Sequence, residues 1–295
     1  MSAETVLLEA NDLRFGALAE GDGAPVLCLH GFPDHWESFR HQLPALAAAG
    51  YRAVAPMMRG YEPSSQPGRQ VAAHHPMRLA GDAVEWARNL GEGRPIHLVG
   101  HDWGAIAGAI ACLREPTLFR SFTSVAISGF QSTEDGIRHH PVQIRNSWYI
   151  FFFQLRGIAD LWLARNDFAF IERLWCDWSP GWQWEPEAME SLKQTFGQPG
   201  VAWAALAYYR AMMNPFLADS RRLREITRAA TEVPTLAVTG ATDGCMDTRL
   251  FDYVDPALYP RGIRVERFEG AGHFVHQEKP EEFNRLLLEW LRSTE

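Results

Sequence analysis

The sequence predicts an α/β protein: a parallel sheet covered by helices and interrupted once by a helical insertion. Short apolar runs that end in glycine or a turn, at Val26 to Leu29, Tyr51 to Ala55, Ile96 to Val99, Phe122 to Ile127, Thr235 to Val238 and Ile263 to Phe268, each precede a helix-like stretch, the rhythm of a sheet flanked by helices. Between about Phe130 and Glu232 that rhythm stops. No strand pattern appears there, and seven of the eleven tryptophans fall in this stretch, which marks it as an aromatic, helical lid.

The leading segments around Thr5 to Leu8 and Leu13 to Ala17 read as an antiparallel hairpin. Within the insertion, Val201 to Met213 (VAWAALAYYRAMM) has helix-forming composition with an aromatic face. Most lid aromatics are expected to fill the lid's own core. The functional case therefore rests on particular positions.

The 295 residues suffice for one large domain with an insertion, and 46% hydrophobic with 22% charged residues is the balance of a globular chain. Lys and Arg number 28 against 36 Asp and Glu, a net charge of −8 without a basic block. Nucleic acid and anionic membranes are not the expected partners. Cys28, Cys112, Cys176 and Cys245 form no CxxC or metal-ligand spacing, so reduced thiols in a cytoplasmic protein are expected, with no metal. Glu4 and Glu9 stand where a signal peptide needs a basic start and an apolar run. The runs Ala105 to Leu113 and Val201 to Tyr209 fall short of the ~20 residues that span a bilayer. No phosphate-binding glycine motif follows a strand, and no cofactor is expected.

The most informative segment is IHLVGHDWGA, where an apolar strand runs through Gly100-His101-Asp102-Trp103-Gly104 into a small-residue helix. A G-x-nucleophile-x-G turn between strand and helix is strained and crowded, so small residues flank its centre. The helix N-terminus beneath it favours an anion. Aspartate in the centre, where serine would serve ester hydrolysis, suits displacement at a strained or activated sp³ carbon. Epoxide opening and halide loss both qualify.

Three further segments supply partners. In His30-Gly31-Phe32-Pro33, directly after a strand, the Phe32 amide stands where half of an oxyanion hole is built, with the amide of Trp103 as the other half. His30 itself reads as a structural histidine. Near the C-terminus, His273 in FEGAGHF sits on a glycine-rich loop as general base, with a pKa near neutrality expected for that task and His276 as runner-up. Asp243, after the strand TLAVTG, is placed to orient the imidazole, with Asp247 as the alternative. The order Asp102, Asp243, His273 is nucleophile, acid, base.

On HGFPDHWESFRHQ, RGYEPSS, VGHDWGA and GAGHFVHQEKPEEF, the chain resembles the α/β-hydrolase superfamily over nearly its full length, and within it the epoxide hydrolases, with haloalkane dehalogenases as near relatives. The resemblance implies an α/β-hydrolase fold with a mostly parallel eight-stranded sheet flanked by helices. It divides the chain into a core of residues 1–129 and 233–295 and a cap of residues 130–232. It also implies two lid tyrosines that stabilise the opening epoxide oxygen, matched here by Tyr149 in WYIFFFQLRG and Tyr209 in YYRAMM, with Tyr208 able to exchange with Tyr209 by a one-residue shift. Two O–H donors answer the basicity of an alkoxide leaving group, which a halide does not share.

A dehalogenase would instead pair Trp103 with an Asn in place of Phe32 or with a second lid tryptophan such as Trp148. Trp103 also occupies the position where fluoroacetate-type dehalogenases carry Arg. Glu62 and Arg156 depart from the glycine and proline usual at their places. The expected protein is a cofactor-free hydrolase, monomer or homodimer, that converts an apolar epoxide and water to a vicinal diol. Asp102, His273, Asp243, Tyr149 and Tyr209 are the expected catalytic residues, Phe32 and Trp103 the expected oxyanion hole, and Phe32, Trp103 and Trp148 the expected substrate lining. The rival readings are a haloalkane dehalogenase using the same Asp102 and a catalytically silent small-molecule receptor.

Overall fold

The computed structural model describes residues 3–295. Its sheet contains β1 (Glu4–Ala10), β2 (Leu13–Glu20), β3 (Ala24–Leu29), β4 (Tyr51–Pro56), β5 (Ile96–His101), β6 (Phe119–Val125), β7 (Thr235–Gly240) and β8 (Ile263–Phe268). They stand in the order β1-β2-β4-β3-β5-β6-β7-β8. β2 pairs antiparallel with β1 and β4, and every other pairing is parallel. This is the expected eight-stranded, mostly parallel sheet. Two strands differ most from the expectation: β2 runs three residues past Ala17, and β6 starts three residues before its apolar run and ends at Val125 because Ala126 turns to φ +67°.

The helices are α1 (Gln42–Ala48), α2 (Pro76–Gly91), α3 (Trp103–Arg114), α4 (Phe130–His139), α5 (Val142–Asn146), α6 (Trp148–Phe152), α7 (Ile158–Trp178), α8 (Pro186–Gly197), α9 (Val201–Met212), α10 (Ala218–Ile226), α11 (Val275–Glu278) and α12 (Pro280–Ser293). Side chains alternate across β3, so Leu27 and Leu29 join the α2 and α3 core while Val26 and Cys28 join the core under α1 and α12. α12 buries Phe283, Leu287 and Leu291 at four-residue spacing. Glu281 and Glu282 in its first turn and Arg292 in its last complement the helix dipole.

Helices α4 to α10 all lie between β6 and β7 in the chain. Arg210 is the buried clamp of this cap: its guanidinium donates to both oxygens of Asp160 and to the Phe153 carbonyl oxygen. α7 is broken at Arg165–Phe168, where Asn166, Asp167 and Phe168 take positive φ. Among the described residues no helix is long and apolar enough to cross a membrane. The loops after β3, β5, β7 and β8 gather at the carboxyl edge of the sheet, where open α/β sheets build their sites.

Candidate active site

Asp102 sits at the junction of β5 and α3 with φ +49° and ψ −112°, a conformation that costs a non-glycine residue about 1–3 kcal/mol. Its neighbours make the turn possible. A Cβ on Gly104 would run into the Leu29 carbonyl oxygen, and one on Gly31 would strike the Asp102 side chain itself. Backbone from β3 and α3 thus closes on the carboxylate from two sides.

The Phe32 amide donates to Asp102 Oδ1 at 2.7 Å, and the amide of Trp103, the next residue, adds to the stabilisation of the charged carboxylate. The other oxygen, Oδ2, lies 3.9 Å from His273 Nε2. The two carboxylate oxygens are therefore distinguished before any substrate arrives. Burial raises the Asp102 pKa to about 6, although the His273 charge and the two amides oppose the rise.

His273 is brought in by the loop after β8 and is fully buried. Its backbone N–H donates to the Trp178 carbonyl oxygen and to Ser179 Oγ, and Ser179 in turn donates to Glu278. The loop is fixed from below by α11 and from above by the cap. His273 Nδ1 meets Asp243 Oδ2 at 2.9 Å; since an ionised carboxylate only accepts, Nδ1 carries the proton. Nε2 has no hydrogen-bond partner among the described residues, and it carries the lone pair whenever the ring is neutral.

The imidazole does not keep the near-neutral pKa that the sequence led one to expect. Burial works to lower it, but the Asp243 charge and hydrogen bond, with the Cys245 thiol, outweigh burial and hold it well above the ordinary histidine value.

Asp243 is held by its own loop, accepting at Oδ1 from the amides of Cys245 and Met246. Asp247, the alternative acid, caps the short helical turn that follows it and pairs with Arg249. His30 accepts from the Met58 amide at Nε2 and contacts the Gly31 carbonyl oxygen at Nδ1. His276 is also structural in setting, against Ser38 Oγ at 2.8 Å.

From the cap come Tyr149 on α6 and Tyr209 on α9, both buried, with rings 5.6 Å apart and edge to face. Tyr209 packs 4.9 Å from Trp103 and 5.3 Å from Phe32. Its hydroxyl has no partner among the described residues, whereas the Tyr208 hydroxyl donates to the Arg59 carbonyl oxygen at 2.5 Å. The Asp102 charge contributes to raising the phenol pKa of both Tyr149 and Tyr209, after burial. Both hydroxyls stay protonated and able to donate.

Trp148 does not join this cluster. It is 42% exposed on the outer side of the cap, against Phe152 and Phe170. The ring that instead closes the site is Trp178, 4.8 Å from Tyr149 and 5.1 Å from His273.

A family model described as the alpha/beta hydrolase fold matches residues 24–280. Epoxide hydrolase A of Mycobacterium tuberculosis is 30% identical, over 98% of this chain and 97% of its own. The chain belongs to the epoxide hydrolase family of α/β-hydrolases. Epoxide hydrolase 3 of Xenopus tropicalis is 28% identical over 97% of this chain and 77% of its own. An epoxide hydrolase structure from Vigna radiata superposes with TM-score 0.81 at 28% identity, covering 99% of this chain and 98% of that one.

Against this epoxide hydrolase framework, two residues stand out that the sequence did not single out. Cys245 places its sulfur 3.3 Å from the Tyr149 hydroxyl. Gln143 on α5 donates to the Cys245 carbonyl oxygen and to Ser147 Oγ, and accepts from the Asp247 amide. Together they stitch the Asp243 loop to the helices that carry Tyr149. A further buried network, Asp34 with Ser38, His276 and Gln277, lies beneath the oxyanion loop. Asp34, His101 and His276 bring three donor atoms within 4.8 Å of one another, as do Asp243, Cys245 and His273. In both groups the carboxylate is already engaged by hydrogen bonds.

Proposed function

We propose that this chain hydrolyses apolar epoxides to vicinal diols through a covalent ester on Asp102. The observation that carries the reading is the unequal treatment of the two Asp102 oxygens: Oδ1 held by the Phe32 backbone amide, Oδ2 facing His273. Oδ2 attacks a ring carbon, the carbon–oxygen bond of the epoxide breaks, and Tyr149 and Tyr209 donate to the oxygen that leaves as alkoxide. The Asp102 carbonyl oxygen of the ester is then Oδ1, already held by the Phe32 amide, and the Trp103 amide is the second donor this reading assigns to it.

In the second half His273, neutral after passing its proton to the alkoxide by way of a lid phenol, takes a proton from water as the water oxygen adds to Asp102 Cγ. The resulting oxyanion on Oδ1 is stabilised by the same two amides; collapse breaks the bond from Cγ to the ester oxygen, which takes the proton from His273 and leaves as the diol, and the carboxylic acid left on Asp102 returns its proton to His273 to restore the carboxylate. Esterification also removes the negative charge 3.9 Å from His273 Nε2, which favours release of a proton from the ring at the step where a base is required. Asp243 orients the ring and balances its charge throughout.

The dehalogenase reading would have to use Trp178 as its second halide donor, because Trp148 lies outside the cluster and no Asn replaces Phe32; the two buried phenols of Tyr149 and Tyr209 favour epoxide opening over it. The test is intact-protein mass spectrometry of His273→Gln after exposure to aryl and alkyl epoxides and, separately, to bromoalkanes. An adduct equal to the whole epoxide, mapped to Asp102 and absent with bromoalkanes, is expected. An adduct of bromoalkane minus HBr, with none from epoxides, overturns the reading, as does the absence of any adduct.

A further inference from the structure

The outer face of the cap carries a continuous apolar stripe. Ile144, Trp148, Phe151, Leu155, Ile158 and Trp162 follow one another at four- and three-residue steps through α5, α6 and the first turn of α7, each 42–59% exposed, and Leu161 beside them is 76% exposed. Buried residues interleave with them: Gln143, Tyr149, Phe153, Ala159 and Leu163 face inward. Scattered apolar residues on a surface need no explanation, but an aligned run of seven large ones exceeds what a monomer ordinarily leaves in water.

The charges beside the stripe point to what covers it. Arg145, Arg156 and Arg165 are exposed and form no ion pair among the described residues. The two acids of the same segment are both engaged, Asp160 by Arg210 and Asp167 by Lys193. Arg165 also lies over the Trp162 ring, 5.7 Å from its centroid. Next to the stripe, an open cleft is lined by Arg69 and Arg156, with Trp203 and the Asp160–Arg210 pair. A chain of net charge −8 therefore presents one face that is both apolar and locally cationic. Overall charge argued against an anionic membrane, but attraction acts over about a Debye length and reads the local patch. A second copy docked stripe to stripe would bring uncompensated arginines together, since the segment has no free carboxylate to meet them.

We propose that the outer face of α5, α6 and the start of α7 docks on an anionic lipid surface. The apolar stripe enters the headgroup boundary, and Arg145, Arg156 and Arg165 meet lipid phosphates, as an interfacial amphipathic segment does. Trp148 and Trp162 within the stripe suit that boundary. This assignment is independent of the reaction the site performs.

The test is co-sedimentation of the full chain with phosphatidylcholine vesicles, with and without phosphatidylserine, alongside light scattering to read the oligomeric state. Binding that needs phosphatidylserine and weakens with salt is expected. Each of Arg145→Gln, Arg156→Gln and Arg165→Gln should weaken it by about fivefold, and Leu161→Ser with Trp162→Ser should abolish it. Thermal unfolding of every variant should match the parent, since all these side chains are exposed. Absence of binding, or equal binding to both vesicles, overturns the proposal. So does a concentration-dependent dimer that Leu161→Ser dissolves, which would give this face to a second copy.

Discussion

The Tyr208 hydroxyl donates to the Arg59 carbonyl oxygen at 2.5 Å, and this bond decides which of two adjacent lid tyrosines is available to a substrate. Tyr208 is committed to the core below the cap, and Tyr209 is not. Tyr209→Phe should slow ester formation on the order of 10²-fold, the usual effect of deleting one donor to a developing oxyanion. Tyr208→Phe should leave that step within a few fold while costing about 1 kcal/mol of stability for a lost buried hydrogen bond. Single-turnover kinetics and urea unfolding of the two variants read these effects separately; a slower ester step for Tyr208→Phe alone would exchange the two roles.

Ester formation should also report the ionisation of Asp102. Burial holds that carboxyl at about 6, and only its charged form attacks. The single-turnover rate should be flat above pH 6 and fall tenfold per pH unit below it. Because the His273 charge opposes the upward shift, His273→Gln should move this limb to higher pH. A limb at the ordinary aspartate value in both proteins would contradict the description of the buried carboxyl.

Gln143 joins cap and core without touching the reacting atoms. Gln143→Ala leaves the Asp247 amide and the Cys245 carbonyl oxygen unpaired, a loss of about 1–3 kcal/mol for each group that stays buried without a partner. Urea midpoints should fall accordingly. Since the same bonds locate the helices of Tyr149, kcat should drop more than the binding of a diol product, measured by calorimetry; unchanged kcat would reduce Gln143 to a packing residue.

Gly104→Ala is expected to be severely damaging. The added Cβ would meet the Leu29 carbonyl oxygen, which belongs to a central strand and has no room to retreat. A loss above ~4 kcal/mol, in the range of severe core defects, should appear as failure to accumulate folded protein. A well-folded Gly104→Ala variant would show the β5 turn to be far softer than its dihedral angles imply.

Asp102, Asp243 and His273 were legible because each stands at a fixed step from the end of an apolar run, on a turn whose glycines announce crowding. Parallel strand order then converts 30 and 171 residues of separation into contact, at 2.9 and 3.9 Å. Trp148 was not placed correctly, because its face depends on how the short helices α5 and α6 are turned by their packing, which composition does not encode. The pKa of His273 escaped for a related reason: the thiol of Cys245 arrives beside it only in three dimensions. Gln143 meets the Asp247 loop across 104 residues. No local pattern marks such a residue.

Val125 and Val238 are register partners on the neighbouring strands β6 and β7, and the whole excursion of α4 to α10 leaves and returns through that one slit in the sheet. The two halves of the chemistry are consequently separable by splicing. Nucleophile, base and oxyanion amides stay with the sheet, while the phenols and most of the surface a substrate would meet travel as one contiguous block. Transplanting that block from a relative needs only two backbone junctions, side by side, but the incoming block must also reproduce the Trp178 and Ser179 contacts to the His273 loop and the Gln143 contacts to the Asp243 loop.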